Sequence, residues 1–175
     1  MEFASIVNLD DVKQILDRQI SYNMNIALEG LNNNYGANIG KTIIKYSSGD
    51  IIQYTKALAA AGSDARMNGC DMPVVINSGS GNQGITCSVP LVAFAEKNKI
   101  DKDTLYRALV VSNLCTIHIK NSIGKLSAFC GVVIAGAGAL DHQYVRLLCF
   151  QNNCDGNGNW NGNWIGIGVI DMIKF

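Results

Sequence analysis

The sequence is short of proline, of net charge and of long apolar runs, and each shortage removes a class of protein. It has only 2 prolines against 18 glycines in 175 residues, a balance that suits close backbone packing more than extended loops. Lys plus Arg and Asp plus Glu both number 14, so the formal net charge is zero. Phosphate binding needs a basic face, so nucleic acid is not the expected partner. Electrostatic attachment to a membrane surface is not expected either. No stretch offers the roughly 18 consecutive apolar residues that suggest a membrane span. The longest mostly apolar run, Leu126 to Leu140, is too short and too rich in Gly and Ala. The start, MEFASIVNLDDVK, shows neither a basic n-region nor an apolar h-region, so the cytoplasm is the expected compartment.

Several motifs are missing as well. The 6 cysteines, Cys70, Cys87, Cys115, Cys130, Cys149 and Cys154, contain no C-x-x-C pair. A simple zinc ribbon or a thioredoxin-type site is thus not expected. Without an export signal the thiols are expected to be reduced. Cys87 and Cys115 lie among apolar neighbours and read as small buried hydrophobes. No Walker A motif occurs, and no clear parallel strand precedes Gly79-Ser80-Gly81-Asn82-Gln83-Gly84, so its G-x-G-x-x-G spacing is not read as a dinucleotide fingerprint. His118 and His142 suggest no Ser–His–acid arrangement. His118, within an apolar helix, reads as structural, and His142 as exposed.

What remains is a chain able to form one ordinary domain, or one large piece of a bigger one. Hydrophobic residues make up 48% and charged residues 16%, which excludes global disorder. Asn8 can cap a helix whose apolar residues, Val12, Ile15, Leu16, Ile20, Met24 and Ala27, follow helical spacing. Gly30 reads as its stop, and LNNNYGANIGK as a loop. Asp50 starts a second helix. Met72 to Ile76 is short and β-leaning, with a helix entry as the alternative. Ile85 to Asn98 and Thr104 to Lys120 read as helices, with Asp101 capping the latter and Gly124 ending it. Leu126 to Leu140 reads as a central helix packed through small residues. The fold class is mainly α, with at most a few short strands. Residues 1–140 form the core, and residues 141–175 form an Asn/Gly-rich tail containing QNNCDGNGNWNGNW.

The strongest chemical signal is the run Asn77, Ser78, Gly79, Ser80, Gly81, Asn82, Gln83. Its glycines let backbone approach a ligand, and its hydroxyls and amides add donors. If a helix starts just after it, the free N–H groups favour a carboxylate or phosphate. The alternative is a tight turn with capping side chains. Lys120 and Lys125 flank Gly124; each is either a solvated lysine or a base beside a Gly-rich site.

The segments GSDARMNGCDMPVVINSGSGNQGITCSVP and IKNSIGKLSAFCGVVIAGAGA, preceded by VNLDDVKQIL and EGLNNNYGANIGK, closely resemble the L-cysteine desulfidase family. That family belongs to the iron–sulfur serine dehydratase alpha chain group. The likeness runs from about Val7 to Gly138 and implies a helix-rich serine dehydratase alpha-like core. It implies a cytoplasmic lyase that converts L-cysteine to pyruvate, ammonia and sulfide, or carries out the related L-serine dehydration. It implies a 4Fe–4S cluster held by three cysteines. Cys130, in AFCG, matches one of them, and Cys154, in NCDG, resembles another. The family follows the second motif with a Lys- and Cys-containing helix, where this chain reads NGNWNGNW. The third cysteine sits in an N-terminal Gly-Cys-Thr-Glu-Pro-like motif with no counterpart before Val7. An N-terminally truncated member is therefore expected, forming a homo-oligomer or associating with the missing portion. In this reading residues 77–83 hold the amino acid's carboxylate, and Lys120 or Lys125 is the base. The rivals are a non-catalytic remnant or split half that needs a partner chain, and a pyridoxal-phosphate lyase with the loop on the phosphate.

Overall fold

The computed structural model describes residues 2–47, 49–124 and 130–139. Among these are seven α-helices and no strand: α1 (Glu2–Ile6), α2 (Leu9–Asn32), α3 (Ile39–Tyr46), α4 (Ile51–Met67), α5 (Gly81–Asn98), α6 (Lys102–Ile123) and α7 (Gly131–Ala139). None of the described helices is long and apolar enough to cross a membrane. Residues 125–129 and the 141–175 tail, with Cys149, Cys154, Lys125 and His142, lie outside the described residues.

Three helix starts follow local chemistry. Asn8 Oδ1 accepts from the Asp10 N–H at 3.2 Å, with Asp10 and Asp11 in the first turn of α2. Asp50 Oδ1 accepts from the Ile52 N–H at 3.2 Å to start α4. Asp101 receives both the Thr104 N–H at 2.9 Å and the Thr104 hydroxyl at 2.7 Å to start α6. Each cap satisfies a donor that the helix's first turn leaves open. Gly124, at φ +93°, follows α6.

Four expectations are corrected. Gly30 does not stop α2, which runs on to Asn32. Its missing side chain serves packing instead: a Cβ there would lie 2.1 Å from the Ala61 carbonyl oxygen on α4. The segment read as a loop contains the start of α3. Its cap is remote in sequence, because Asp64 Oδ2 on α4 accepts from the Ile39 N–H at 2.8 Å. α5 begins at Gly81, four residues before Ile85, so Pro90 falls inside the helix. Finally, the central helix is α5. It packs against α2, α4, α6 and α7 and buries Ile85, Cys87, Val89, Val92 and Ala95. The described part of the Leu126 to Leu140 run is α7, from Gly131.

The core joins Ile26 of α2, Leu58 of α4, Ile85, Val89 and Val92 of α5, and Tyr106 and Leu109 of α6, all essentially buried. Burying side chains of this size stabilises by about 1.5–3 kcal/mol each before chain entropy is set against it. At the rim, the Tyr106 hydroxyl donates to Asp17 and Lys102 Nζ lies 3.2 Å from the same carboxylate, tying α6 to α2. Arg107 Nη1 donates to the Ala4 and Ser5 carbonyls at 2.7 and 2.9 Å, tying α1 down.

Candidate functional site

Residues 72–76 run without regular structure to a tight turn. The Asn77 N–H donates to Ser80 O at 3.1 Å, and the Ser80 N–H returns to Asn77 O at 3.0 Å. Between them Ser78 and Gly79 hold φ of +49° and +86°. Two successive left-handed residues make a type I′ turn, usually a hairpin connector. Here it leads directly into α5 and folds the preceding segment back over the first turn of that helix. A Cβ at Gly84 would lie 1.9 Å from Val75 O, so only glycine permits this approach.

A buried amide network fixes the segment from beneath. On α2, Asn23 pairs with the Val75 backbone: Val75 N–H donates to Asn23 Oδ1 at 2.8 Å, and Asn23 Nδ2 donates to Val75 O at 3.2 Å. The same Nδ2 donates to Ser88 Oγ at 3.0 Å. Asn77 Nδ2 donates to Asn113 Oδ1 at 2.9 Å, and Ser78 Oγ donates to Asn77 Oδ1 at 2.8 Å. Asn113 Nδ2 donates to Gln19 Oε1 at 2.8 Å, while Gln19 Nε2 donates to Asn113 Oδ1 at 2.9 Å. The side chain of Asn77 is thus turned inward. Gln19 and Asn23 occupy the same buried stripe of α2 as Leu16, Ile26 and Gly30. An amide at a core register is the sequence signal for both.

Cys87 lies within this network and donates to Gly84 O at 3.4 Å. Burial pushes its thiol up to about 12. It is a neutral core thiol at pH 7, as its apolar neighbours suggested, because desolvation disfavours the thiolate. Cys130 is exposed. Under native conditions iodoacetamide should modify Cys130 and spare Cys87 until denaturant is added, as read by peptide mass spectrometry. Early labelling of Cys87 would contradict the buried network.

Above the network the start of α5 is open. Ser80 makes no side-chain cap bond. No side chain among the described residues caps the N–H groups of Gly81, Asn82 and Gln83. Arg66, in the last turn of α4, lies across this end. Its Nη1 donates to Asn82 Oδ1 at 3.1 Å. A Cβ on Gly81 would lie 2.3 Å from Arg66 Nε. Arg66 stands in the ARMNGC stretch, where nothing local marks it as a site residue, since its place depends on how α4 packs on α5.

On the other side, Gln83 is 4% exposed. Its amide fills the space over Gly131, where a Cβ would lie 1.9 Å from Nε2. Its Oε1 is buried and has no hydrogen-bond partner among the described residues. Gly131 opens α7 and follows Cys130 directly, so Gln83 packs on the residue next to Cys130. Lys120 is half-buried in the last turn of α6, where its carbonyl accepts from the Gly124 N–H at 3.0 Å. The His118 residue is exposed. Lys125 and Cys154 cannot be placed, being outside the described residues. Among the described residues no three His, Cys, Asp or Glu side chains converge as a metal site. A cluster needing three thiolates therefore does not fit the described donor set, which offers Cys130 at this place and keeps Cys87 neutral in the core.

A family model described as serine dehydratase alpha chain matches residues 3–140. A UPF0597 protein of Desulfitobacterium hafniense is 55% identical over 139 residues, covering 79% of this chain and 32% of that protein. A UPF0597 protein of Lachnoclostridium phytofermentans is 51% identical over 139 residues, with 79% and 33% covered. One of Finegoldia magna is 54% identical over 138 residues, again with 79% and 33% covered. The chain thus spans about a third of the length of the curated relatives it matches. No solved structure matches it significantly.

Proposed function

The chain belongs to the serine dehydratase alpha chain family, and from that premise we propose that it carries the substrate-carboxylate part of a lyase acting on a small α-amino acid. The supporting observation is that the uncapped start of α5 packs, through the buried side chain of Gln83, on the residue next to Cys130. The free N–H groups and the helix dipole favour a carboxylate at that end. The I′ turn of residues 77–80 holds the N–H groups in place, so a bound carboxylate meets preset donors.

The reaction proposed is β-elimination. L-Cysteine would lose its α-proton to a base and its sulfur as sulfide, and the resulting enamine would hydrolyse to pyruvate and ammonia. L-Serine would lose water in the same way. Lys120 or Lys125 is the proposed base. The resemblance makes a 4Fe–4S cluster the cofactor, with Cys130 and Cys154 as thiolate ligands. The described residues alone do not form that centre. The cytoplasm is the compartment this chemistry implies, because thiolate ligands need reducing surroundings.

A second reading is a split half that needs another chain. It is favoured by exposed apolar side chains on α6, where Leu114 and Ile117 lie one turn apart, and by the exposed Val133 of α7. Exposed apolar side chains favour association when they meet a partner surface.

Anaerobic reconstitution, followed by iron and acid-labile sulfide analysis and a pyruvate assay with L-cysteine and L-serine, tests the first reading. About four irons per site and pyruvate release that Cys130→Ser abolishes are the expected results. A folded chain that takes up no iron and releases no pyruvate would leave the split-half reading. Restoration of both by a co-purifying polypeptide would establish it.

A further inference from the structure

Arg66 stands between two helix ends of opposite sign: in the last turn of α4, where a cation is favoured, and across the start of α5, where it is not. The start of α5 is the positive end of its dipole, and a guanidinium set against it raises the local positive charge. The usual remedy is a carboxylate partner, yet among the described residues the sole salt bridge joins Lys102 to Asp17. The guanidinium is also held rather than left to swing. It is half-buried, it lies in the space a Gly81 side chain would take, and Nη1 is fixed on Asn82 Oδ1. Its other hydrogen bond is a weak one, from Nη1 to Met67 Sδ at 3.7 Å. Arginine carries five N–H donors, so a held guanidinium keeps several for a ligand. A second, independent observation points to the same ligand. Gln83, in the same first turn, keeps a buried acceptor, Oε1, with no donor, in the notch between the starts of α5 and α7.

We infer that Arg66 binds the substrate's carboxylate at the open start of α5, with Gln83 Oε1 accepting from its α-ammonium. Resting on the carboxylate reading given above, this makes Arg66 the residue that selects an α-amino acid by its carboxylate. The bidentate fork of an arginine suits that group better than a lysine ammonium does.

The test is a binding titration of the full 175-residue chain, followed by NMR. Its probes are L-serine, L-serinamide (no carboxylate) and 3-hydroxypropionate (no ammonium). Arg66→Gln should weaken L-serine binding roughly 10- to 100-fold. Arg66→Lys should recover part of that loss. L-Serinamide should bind the unaltered chain poorly and be indifferent to the substitution, and 3-hydroxypropionate should bind more weakly than L-serine. The melting temperature of Arg66→Gln should stay close to that of the unaltered chain, because the favourable charge at the end of α4 and the unfavourable one at the start of α5 are removed together; this separates lost binding from lost folding. Equal L-serine affinity in both chains would overturn the role of Arg66 and leave the carboxylate reading intact. If L-serine fails to bind while 3-hydroxypropionate binds in an Arg66-dependent way, the anion site stands and the amino-acid reading falls. If neither binds, both fall.

Discussion

Gly84→Ala is expected to cost about 3–5 kcal/mol and to separate residues 72–76 from α5. The new Cβ would lie 1.9 Å from Val75 O, 2.9 Å from Val75 C and 3.1 Å from Ile76 C. All three are backbone atoms, so no side chain can swing away. Overpacking of a tight core costs about 1–3 kcal/mol and occasionally more. Here relief also requires Val75 to leave Asn23, breaking a reciprocal pair at 2.8 and 3.2 Å. Asn23 is fully buried, so its freed carboxamide adds a desolvation penalty of about 1–3 kcal/mol. A domain of this size has about 5–15 kcal/mol in all. The measurement is urea unfolding followed by circular dichroism. Gly79→Ala is the control: nothing stands within 4 Å of its Cβ, but φ is +86°, so about 1 kcal/mol is expected there. Equal costs at the two positions would mean that the 72–76 segment does not press on α5 as described.

That contrast between a glycine needed for its φ and one needed for its emptiness also separates what was legible in the sequence from what was not. Asn8, Asp50 and Asp101 cap helices within two or three residues of themselves, so a local reading finds them. The Asp64 cap of α3 spans 25 residues, and no local pattern announces it. Gly30 and Gly40 look like breakers in a string of letters. In space both face the α4 backbone, with would-be Cβ atoms 2.1 Å from Ala61 O and 2.5 Å from Ala57 O. The run from Asn77 to Gln83 was legible because its glycines and amides are contiguous. Arg66, Gln19, Asn23 and Asn113 were not, because each reaches the site across a helix–helix contact. α5 was placed four residues late for a related reason. Asn82 and Gln83 look like loop residues, but Gln83 is buried against α7 and Asn82 is held by Arg66.

Asn113 should carry the second large effect, because one side chain serves three elements. Its Oδ1 accepts from both Asn77 Nδ2 and Gln19 Nε2 at 2.9 Å. Its Nδ2 donates to Gln19 Oε1 and to Leu109 O, both at 2.8 Å. Asn113→Ala would therefore strip partners from Gln19, 2% exposed, and Asn77, 5% exposed. Leaving buried amides unpaired costs about 1–3 kcal/mol each, so a loss of roughly 2–4 kcal/mol is expected. Removing the orphan as well should reverse part of this. Gln19→Leu combined with Asn113→Leu takes out both members of the reciprocal pair, and the double variant should be more stable than the sum of the single losses predicts. Asn77 remains without its partner in that double variant. Its turn should stay loosened, and L-serine affinity should not recover along with stability. Affinity returning in step with stability would mean that Asn113 acts on the fold alone, and that the turn at residues 77–80 holds its shape through the Asn77–Ser80 backbone pair without help from α6.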